Sequence, residues 1–359
     1  MSGVQEARGV LADAIAGGVF PGAAADVGTS AGTLWQDALG TLTFDEATPP
    51  PTLHTPFDLA SLTKVIATTS VIMRLVYERR LRLGEPVASL FPEWRGADRE
   101  HATVQDLLEH ASGLSARLID PPPRGRREFE HDICTMPLEY APRTQSVYSD
   151  LGFILLGFVA EDRGRASLAA QFEAIMCMLS PAQSALGIDP LCFELSVQAR
   201  RRAAPTLPLD DDSRLGRSLV GEVHDSYAAA LGGRAGHAGL FGSAPAVGAF
   251  ARVVLGAARG NESALGPFSP ALLTQFLATS TVPGSSRALG WDTMLPTSSC
   301  GTRMSASAFG HVGFTGTSLW IDPARDRYFV LLTNRACGGG SLDEMRRVRR
   351  AFHDALGEV

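Results

Sequence analysis

The chain has 359 residues, 45% hydrophobic and 19% charged, which is enough apolar material for a large core in one compact unit. Its net charge of −6 offers no basic surface for nucleic acid or anionic lipid, so neither is expected as a partner. The five cysteines, Cys134, Cys177, Cys192, Cys300 and Cys337, stand at wide, irregular spacings without a CxxC pair, which argues against a disulfide framework or a zinc site and suits a reducing cytoplasm.

In chain order, MSGVQEARGVLADAIAGG places Val4, Ala7, Leu11, Ala14 and Ile15 at helical spacing and stops at Gly17-Gly18; it lacks the basic start and unbroken apolar run of an export signal. AAADVGTS and GTLWQDALG read as two short strands, with Ser30-Ala31-Gly32 as the turn between them. From Ser61, the positions Leu62, Val65, Ile66, Thr69, Met73 and Val76 predict a helix over about residues 61 to 80. The middle of the chain reads as helices and loops: VQDLLEHASGL, LGFILLGFVAEDRG, SLAAQFEAIMCML, a glycine-rich ALGGRAGHAGLFG, and a helix in AVGAFARVVLGAARG. The apolar run LGFILLGFVA is about half the length of a bilayer span, so a soluble, cytoplasmic chain is expected. Strands return in HVGFTGTSLWI and RYFVLLTN, which flank the turn signal DPARD. The last helix, LDEMRRVRRAFHDAL, puts Leu342, Met345, Val348, Phe352 and Leu356 on one stripe.

Strands at both ends with helices between them predict an α+β fold. One antiparallel sheet would be built from about residues 1–80 and 285–359 and flanked by helices, with a mainly helical lobe inserted over about 81–284, the whole forming a single catalytic unit.

Of the 32 basic residues, one alone, Lys64, is a lysine. A desolvated lysine can lose its proton near neutral pH and act as a base, which an arginine cannot. Ser61 and Lys64 form S-x-x-K, an i, i+3 pair on one helix face, and a serine at a helix N-terminus sits where N–H groups and the macrodipole favour an oxyanion. The plain alternative is a capping serine followed by a solvated lysine. Tyr148-Ser149-Asp150 precedes an apolar helix; Tyr148 is a proton-shuttle candidate or simply a packed ring, and Asp150 a helix cap. His311-Val312-Gly313-Phe314 lies on or entering a strand, where a glycine permits close approach of a substrate and the next N–H can donate to an oxyanion.

His224, Asp225 and His237 lie on loops, and a metal reading lacks a third ligand, so no metal is expected. The glycine cluster has no G-x-G-x-x-G order and a second lysine is absent, so no nucleotide and no cofactor is expected.

Taken in this order and spacing, the S-x-x-K pair, the Tyr148 element and the His311-x-Gly313 element resemble the class C β-lactamases and their relatives: penicillin-binding DD-peptidases, D-aminopeptidases, family VIII esterases and statin-type acyltransferases. TVQDLLEHASGL, GHAGLFG and HVGFTGTSLWIDP look like stretches of the same superfamily, extending the resemblance over about residues 4 to 356. The resemblance implies a β-lactamase/transpeptidase-like fold and an acyl-enzyme on Ser61, with Lys64 sharing a proton with its neighbours and lowering their pKa. It further implies that Tyr148 serves as general base and later protonates the leaving group, and that the N–H groups of Ser61 and Phe314 form the oxyanion hole. His311, Gly313, Asp150 and Asn334, the last closing a predicted strand as Asn334-Arg335, are the further substrate-site candidates.

Two residues depart from the β-lactamase pattern: Asp150 stands where Asn is usual, and His311 where Lys is common. Both argue against efficient β-lactam hydrolysis and leave a serine hydrolase acting as an esterase or amidase on a small substrate as the expectation. A D-amino-acid peptidase, a weak β-lactamase or an acyltransferase is the alternative within the superfamily. A catalytically silent protein that binds peptidoglycan-like fragments or a partner protein is the rival of another class.

Overall fold

The structure, a computed structural model, describes residues 2–118, 122–179, 188–261 and 266–357. Its main sheet has six strands: β1 (Gly22–Thr29), β2 (Gly32–Gly40), β5 (Asp292–Thr293), β6 (Phe309–Val312), β7 (Ser318–Asp322) and β8 (Arg327–Thr333); β3 (Phe57–Asp58) and β4 (Phe241–Gly242) make a separate pair. The order β2-β1-β8-β7-β6-β5 is antiparallel throughout and joins the two chain ends, with Ala25 opposite Leu331 and Val27 opposite Phe329. This is the sheet expected from the sequence.

The helices are α1 (Ser2–Ala16), α2 (Thr69–Tyr77), α3 (Val104–Leu108), α4 (Gly125–Thr135), α5 (Asp150–Gly164), α6 (Leu168–Leu179), α7 (Val197–Arg201), α8 (Ser226–Ala230), α9 (Ala244–Ala258), α10 (Pro270–Leu277) and α11 (Leu342–Leu356). On one face of the sheet, Leu11 and Ala14 of α1 and Phe352 and Leu356 of α11 pack on Ala25, Val27, Phe329 and Leu331. On the other, Val247, Phe250 and Val254 of α9 join Ala24, Leu319, Val330 and Leu332. A strand covered on both sides has no solvent face, which is why Ala23, Ala24 and Ala25 are all fully buried. Helix α9 lies within the span read as the inserted lobe, yet packs on the sheet; the core that holds it continues without a break through α2, α5 and α6.

Three local features differ from the sequence reading. HVGFTGTSLWI is a hairpin rather than one strand: the Gly313 N–H bonds the Thr317 carbonyl at 2.8 Å, and Gly316 turns the chain at φ 108°. The helix predicted over 61–80 ends at Tyr77 and contains a wide π turn, Lys64–Thr68, in which the Thr69 N–H reaches back to the Lys64 carbonyl. Such turns recur at functional positions. In α11, Leu342 is 51% exposed, while the buried face carries Arg349 and His353, whose polar atoms meet the carbonyls and Ser318 hydroxyl of the β6–β7 hairpin. Among the described residues, no helix is long and apolar enough to cross a membrane.

Candidate active site

Ser61 stands in the turn that opens the helix, directly after Ala60, whose φ of 47° is left-handed for a residue with a side chain. That sharp turn is pinned by the Asp58 carboxylate, which accepts from the Ala60 N–H at 2.8 Å and from the His224 N–H at 2.6 Å. Burial pushes the Asp58 carboxyl up to about 6, with those two N–H bonds pulling the other way.

Two side chains converge on the Ser61 hydroxyl. Lys64, one helical turn on, places its Nζ 3.0 Å from Ser61 Oγ, and the Tyr148 hydroxyl lies 2.8 Å from the same oxygen. Lys64 is fully buried, and its other two protons go to Asp150 Oδ1 at 2.7 Å and the His237 carbonyl at 3.0 Å. The glycine-rich segment delivers that carbonyl because Gly236 crosses α5 at Gly157: a Cβ on Gly236 would lie 2.0 Å from the Phe153 carbonyl oxygen and 2.9 Å from the Gly157 nitrogen. Only glycine fits such a crossing.

Burial and neighbouring charge oppose each other at Lys64. Burial alone would lower the Lys64 pKa, but the Asp150 carboxylate and the Tyr148 oxygen outweigh it and hold the amine above its ordinary value. Lys64 is therefore an ammonium at rest, not a free amine. Burial likewise raises Tyr148 above its ordinary value, against the pull of Lys64, so the resting tyrosine is a phenol. Asp150 is not a helix cap: Ser149 caps α5, accepting from the Gly152 N–H, while Asp150 bridges Lys64 and Arg117, the latter at 3.0 Å. Burial would raise its carboxyl, yet Lys64 holds it below the usual range.

The charge chain continues. Arg117 reaches Asp225 at 2.9 Å while lying 4.0 Å over the Tyr227 ring, and Asp225 meets His237 Nε2 at 2.8 Å. His237 and Arg117 hold the Asp225 carboxyl well below the usual range despite its burial. Asp225 and His237 thus belong to the Lys64 network rather than to a metal centre, and among the described residues no group of three such side chains could hold a metal. His224 stands apart from them, its ring stacked at 5.3 Å on Phe314.

The β6–β7 hairpin supplies the opposite wall. A Cβ on Gly313 would meet the Leu59 carbonyl oxygen at 2.7 Å and the Ala60 Cβ at 3.2 Å, so glycine lets the hairpin lie against the turn that carries Ser61. Thr315 and Thr317 tie it there through the carbonyls of Asp58 and Leu59. Among the described residues, neither the Ser61 nor the Phe314 N–H has an acceptor within the chain, and both residues line a cleft of about 240 Å³ with Tyr148, Asp150, His224 and His237.

His311 is buried behind this wall. Its Nδ1 lies 2.8 Å from the Val312 carbonyl, its Nε2 has no partner, and burial together with Arg287 and Lys64 keeps the ring well below its ordinary pKa, hence neutral. Its ring packs 5.8 Å from that of Tyr148. Asn334 is not brought to the cleft: its amide is spent on the Leu42 and Pro205 carbonyls and its oxygen on the Gly22 N–H.

Sequence reasoning gave no role to three residues around the site, and it named a fourth, Arg335, only with Asn334 at the strand end. His110 packs 4.8 Å from Tyr148 and accepts from the Ser149 N–H, fixing the Tyr148 segment. Arg117 joins the two buried carboxylates, Arg287 lies 5.4 Å over the Tyr148 ring, and Arg335 holds the Phe314 carbonyl. Arg117 and Arg287 carry no motif, and arginine is too common in this chain for its identity to mark them, while TVQDLLEHASGL marks the stretch around His110 but not that residue's role.

Comparison with known proteins gives the family. Over 308 residues the chain is 30% identical to the N-acetylmuramyl-L-alanine amidase of Bacillus subtilis (strain 168), covering 79% of this chain and 68% of that protein. It is 28% identical over 316 residues to a putative D-alanyl-D-alanine carboxypeptidase of Escherichia coli (strain K12), covering 79% and 70%. Among solved structures, EstCE1, a hydrolase with promiscuous acyltransferase activity, superposes with a TM-score of 0.75 at 19% identity over 99% of this chain and 98% of that one. A class C β-lactamase from Rhodobacter sphaeroides does so with a TM-score of 0.75 at 18% identity over 99% of each. The β-lactamase family profile matches residues 7–353, and the chain belongs to the β-lactamase family of serine hydrolases.

Proposed function

We propose that the protein hydrolyses a small amide or ester through an acyl-enzyme on Ser61. The observation that carries this reading is the Ser61 hydroxyl held by both Lys64 and Tyr148, with two unpaired N–H groups, its own and that of Phe314, at the same cleft. With Lys64 an ammonium and Tyr148 a phenol at rest, one proton must leave the pair before Ser61 can be deprotonated; which of the two retains the other is a property of the pair. Tyr148 oxygen then takes the Ser61 proton across 2.8 Å as Oγ attacks the carbonyl carbon. Charge gathers on the substrate oxygen facing the two N–H groups. As the intermediate collapses, the bond to the leaving group breaks and Tyr148 returns the proton to it. Water, by the reverse route, releases the acid and restores Ser61.

Amide cleavage is the first reading of the reaction, supported by the amidase of Bacillus subtilis at 30% identity. A second reading, cleavage next to a terminal carboxylate, is favoured by Arg287, whose guanidinium lies 5.4 Å over the Tyr148 ring and whose one ion-pair partner among the described residues, Asp292, is 4.0 Å away. Intact-protein mass spectrometry after exposure to a fluorophosphonate, a short p-nitrophenyl ester and a penicillin tests the common core. An adduct on Ser61 supports it; absence of any adduct would leave a binding protein as the better account. Paired substrates with and without a carboxylate on the leaving group then separate the two readings, since only the second requires the anion.

A further inference from the structure

Two buried arginines stand behind the Phe314 amide. Arg349, on α11, is 5% exposed and donates from Nη2 to the Gly313 carbonyl at 2.7 Å and the Thr317 carbonyl at 2.9 Å. Arg335, just past β8, is 8% exposed; it donates to the Phe314 carbonyl from Nε at 3.1 Å and Nη2 at 2.6 Å, and to the Gly340 carbonyl at 3.0 Å. The two guanidiniums thus grip consecutive carbonyls, one on each side of Phe314. Neither has a carboxylate partner among the described residues, and the Nε of Arg349 has no acceptor. Burial lowers both arginines, and Arg349 is lowered further by Arg335 itself, as two like charges in one pocket require.

A buried charge without a counter-ion is costly, and replacing it with an apolar side chain of similar size is often neutral or stabilising. Stability therefore does not explain the pair. The peptide geometry does: in a planar trans peptide the C=O and N–H point in opposite directions. Anchoring the Gly313 carbonyl on Arg349, on the α11 side, turns the Phe314 N–H the other way, toward the turn that holds Ala60 and Ser61. Without that anchor, a turn containing Gly313 and Gly316 could rotate the peptide and hide the donor.

We propose that Arg349 and Arg335 are positioning residues that lock the Gly313–Phe314 peptide with its N–H facing Ser61 and supply uncompensated positive charge behind the oxyanion site. This rests on the reading of Ser61 as the acylated nucleophile.

The test is Arg349→Met in the full chain, with Arg349→Lys as the conservative partner and Arg335→Met measured in parallel. Three quantities are read: kcat and KM on a p-nitrophenyl ester, thermal melting, and the acyl carbonyl stretch of the acyl-enzyme by difference infrared spectroscopy. Losing one oxyanion donor costs about 10²- to 10³-fold in rate. Arg349→Met is therefore expected to lower kcat by about that factor with KM changed less than about threefold, to move the acyl carbonyl band to higher wavenumber, and to melt no lower than the wild type by more than a few degrees. Arg349→Lys should recover part of the rate and return the band toward the wild-type position. A folded Arg349→Met enzyme with an unmoved carbonyl band would overturn the proposal, whatever its rate. If Arg349→Met does not fold, the band of Arg335→Met decides in the same way. A wild-type protein that forms no acyl-enzyme would instead defeat the Ser61 reading, a result visible before any arginine is changed.

Discussion

The two walls of the cleft handle charge in opposite ways. On the Lys64 side charges alternate in direct contact: Lys64 meets Asp150, Asp150 meets Arg117, and Arg117 meets Asp225, which also bonds the His237 ring. On the hairpin side, Arg335 and Arg349 have carbonyls for partners and no carboxylate among the described residues. The alternating chain favours fixed protonation states, since each charged member stabilises the next. The unbalanced pair does the reverse: it leaves a positive field where a negative oxygen would form. One wall sets where protons rest, and the other favours where charge moves.

The sharpest way to break this contrast is Lys64→Arg. If Lys64 served as a fixed cation for Asp150, arginine would replace it and acylation would survive. If a proton must leave the Lys64–Tyr148 pair, arginine cannot supply it. Loss of a residue that acts as one unit with the nucleophile costs on the order of 10⁴-fold or more in rate. We expect fluorophosphonate labelling of Ser61 to slow by about that factor while circular dichroism reports an intact fold. Labelling within tenfold of wild type would return Lys64 to a structural role.

Where the two walls meet stands Asp58, whose carboxylate holds the Ser61 turn and His224 and whose carbonyl accepts from Thr315. Its folded pKa, about 6, is raised above the ordinary 3.8 by burial. A raised carboxyl favours the fold fully below its unfolded value, and that contribution is lost as the pH rises through about 6. The shift corresponds to about 3 kcal/mol between the two limits. Wild-type stability minus that of Asp58→Asn should therefore fall by up to about 3 kcal/mol between pH 4 and pH 8 in denaturant titrations. A pH-independent difference would mean that Asp58 titrates alike in the folded and unfolded chain.

The same contrast explains what could be read in advance. The sheet was legible because periodicity and turn residues are local, and so was the Ser61, Lys64 and Tyr148 set, because S-x-x-K spacing fixes two members on one helix face. The β6–β7 hairpin was hidden because Gly313-Phe314-Thr315-Gly316 interrupts an otherwise continuous strand-like run, and only the tertiary tie of Thr315 and Thr317 to the Asp58–Leu59 backbone makes it a turn. The charge state of Lys64 is not legible from its own position because it depends on Asp150, 86 positions away, and on which atoms that carboxylate faces. Asn334 looked like a cleft residue by position in the chain, but its amide satisfies backbone groups whose need appears only once β1 and β8 are paired. Burial of Arg349 is likewise invisible in LDEMRRVRRAFHDAL, where it reads as one more solvated arginine.

Asp150→Asn is the gentlest probe and the one that separates position from charge. The amide keeps the size and can still accept from Lys64 Nζ, but it removes the negative charge that holds the ammonium in place. Burial then prevails, and the Lys64 pKa falls. Because the reactive form needs one proton fewer on the Lys64–Tyr148 pair, the rising limb of the pH–rate profile for acylation should move toward lower pH. Arg117 loses a partner at the same step but keeps Asp225, so the cleft should remain assembled and KM should change little. A limb that stays in place would mean that the rate-governing proton does not sit on the Lys64–Tyr148 pair. A limb that moves to higher pH would reverse the sign of the Asp150 effect and remove the carboxylate from its place as the anchor of the charge chain.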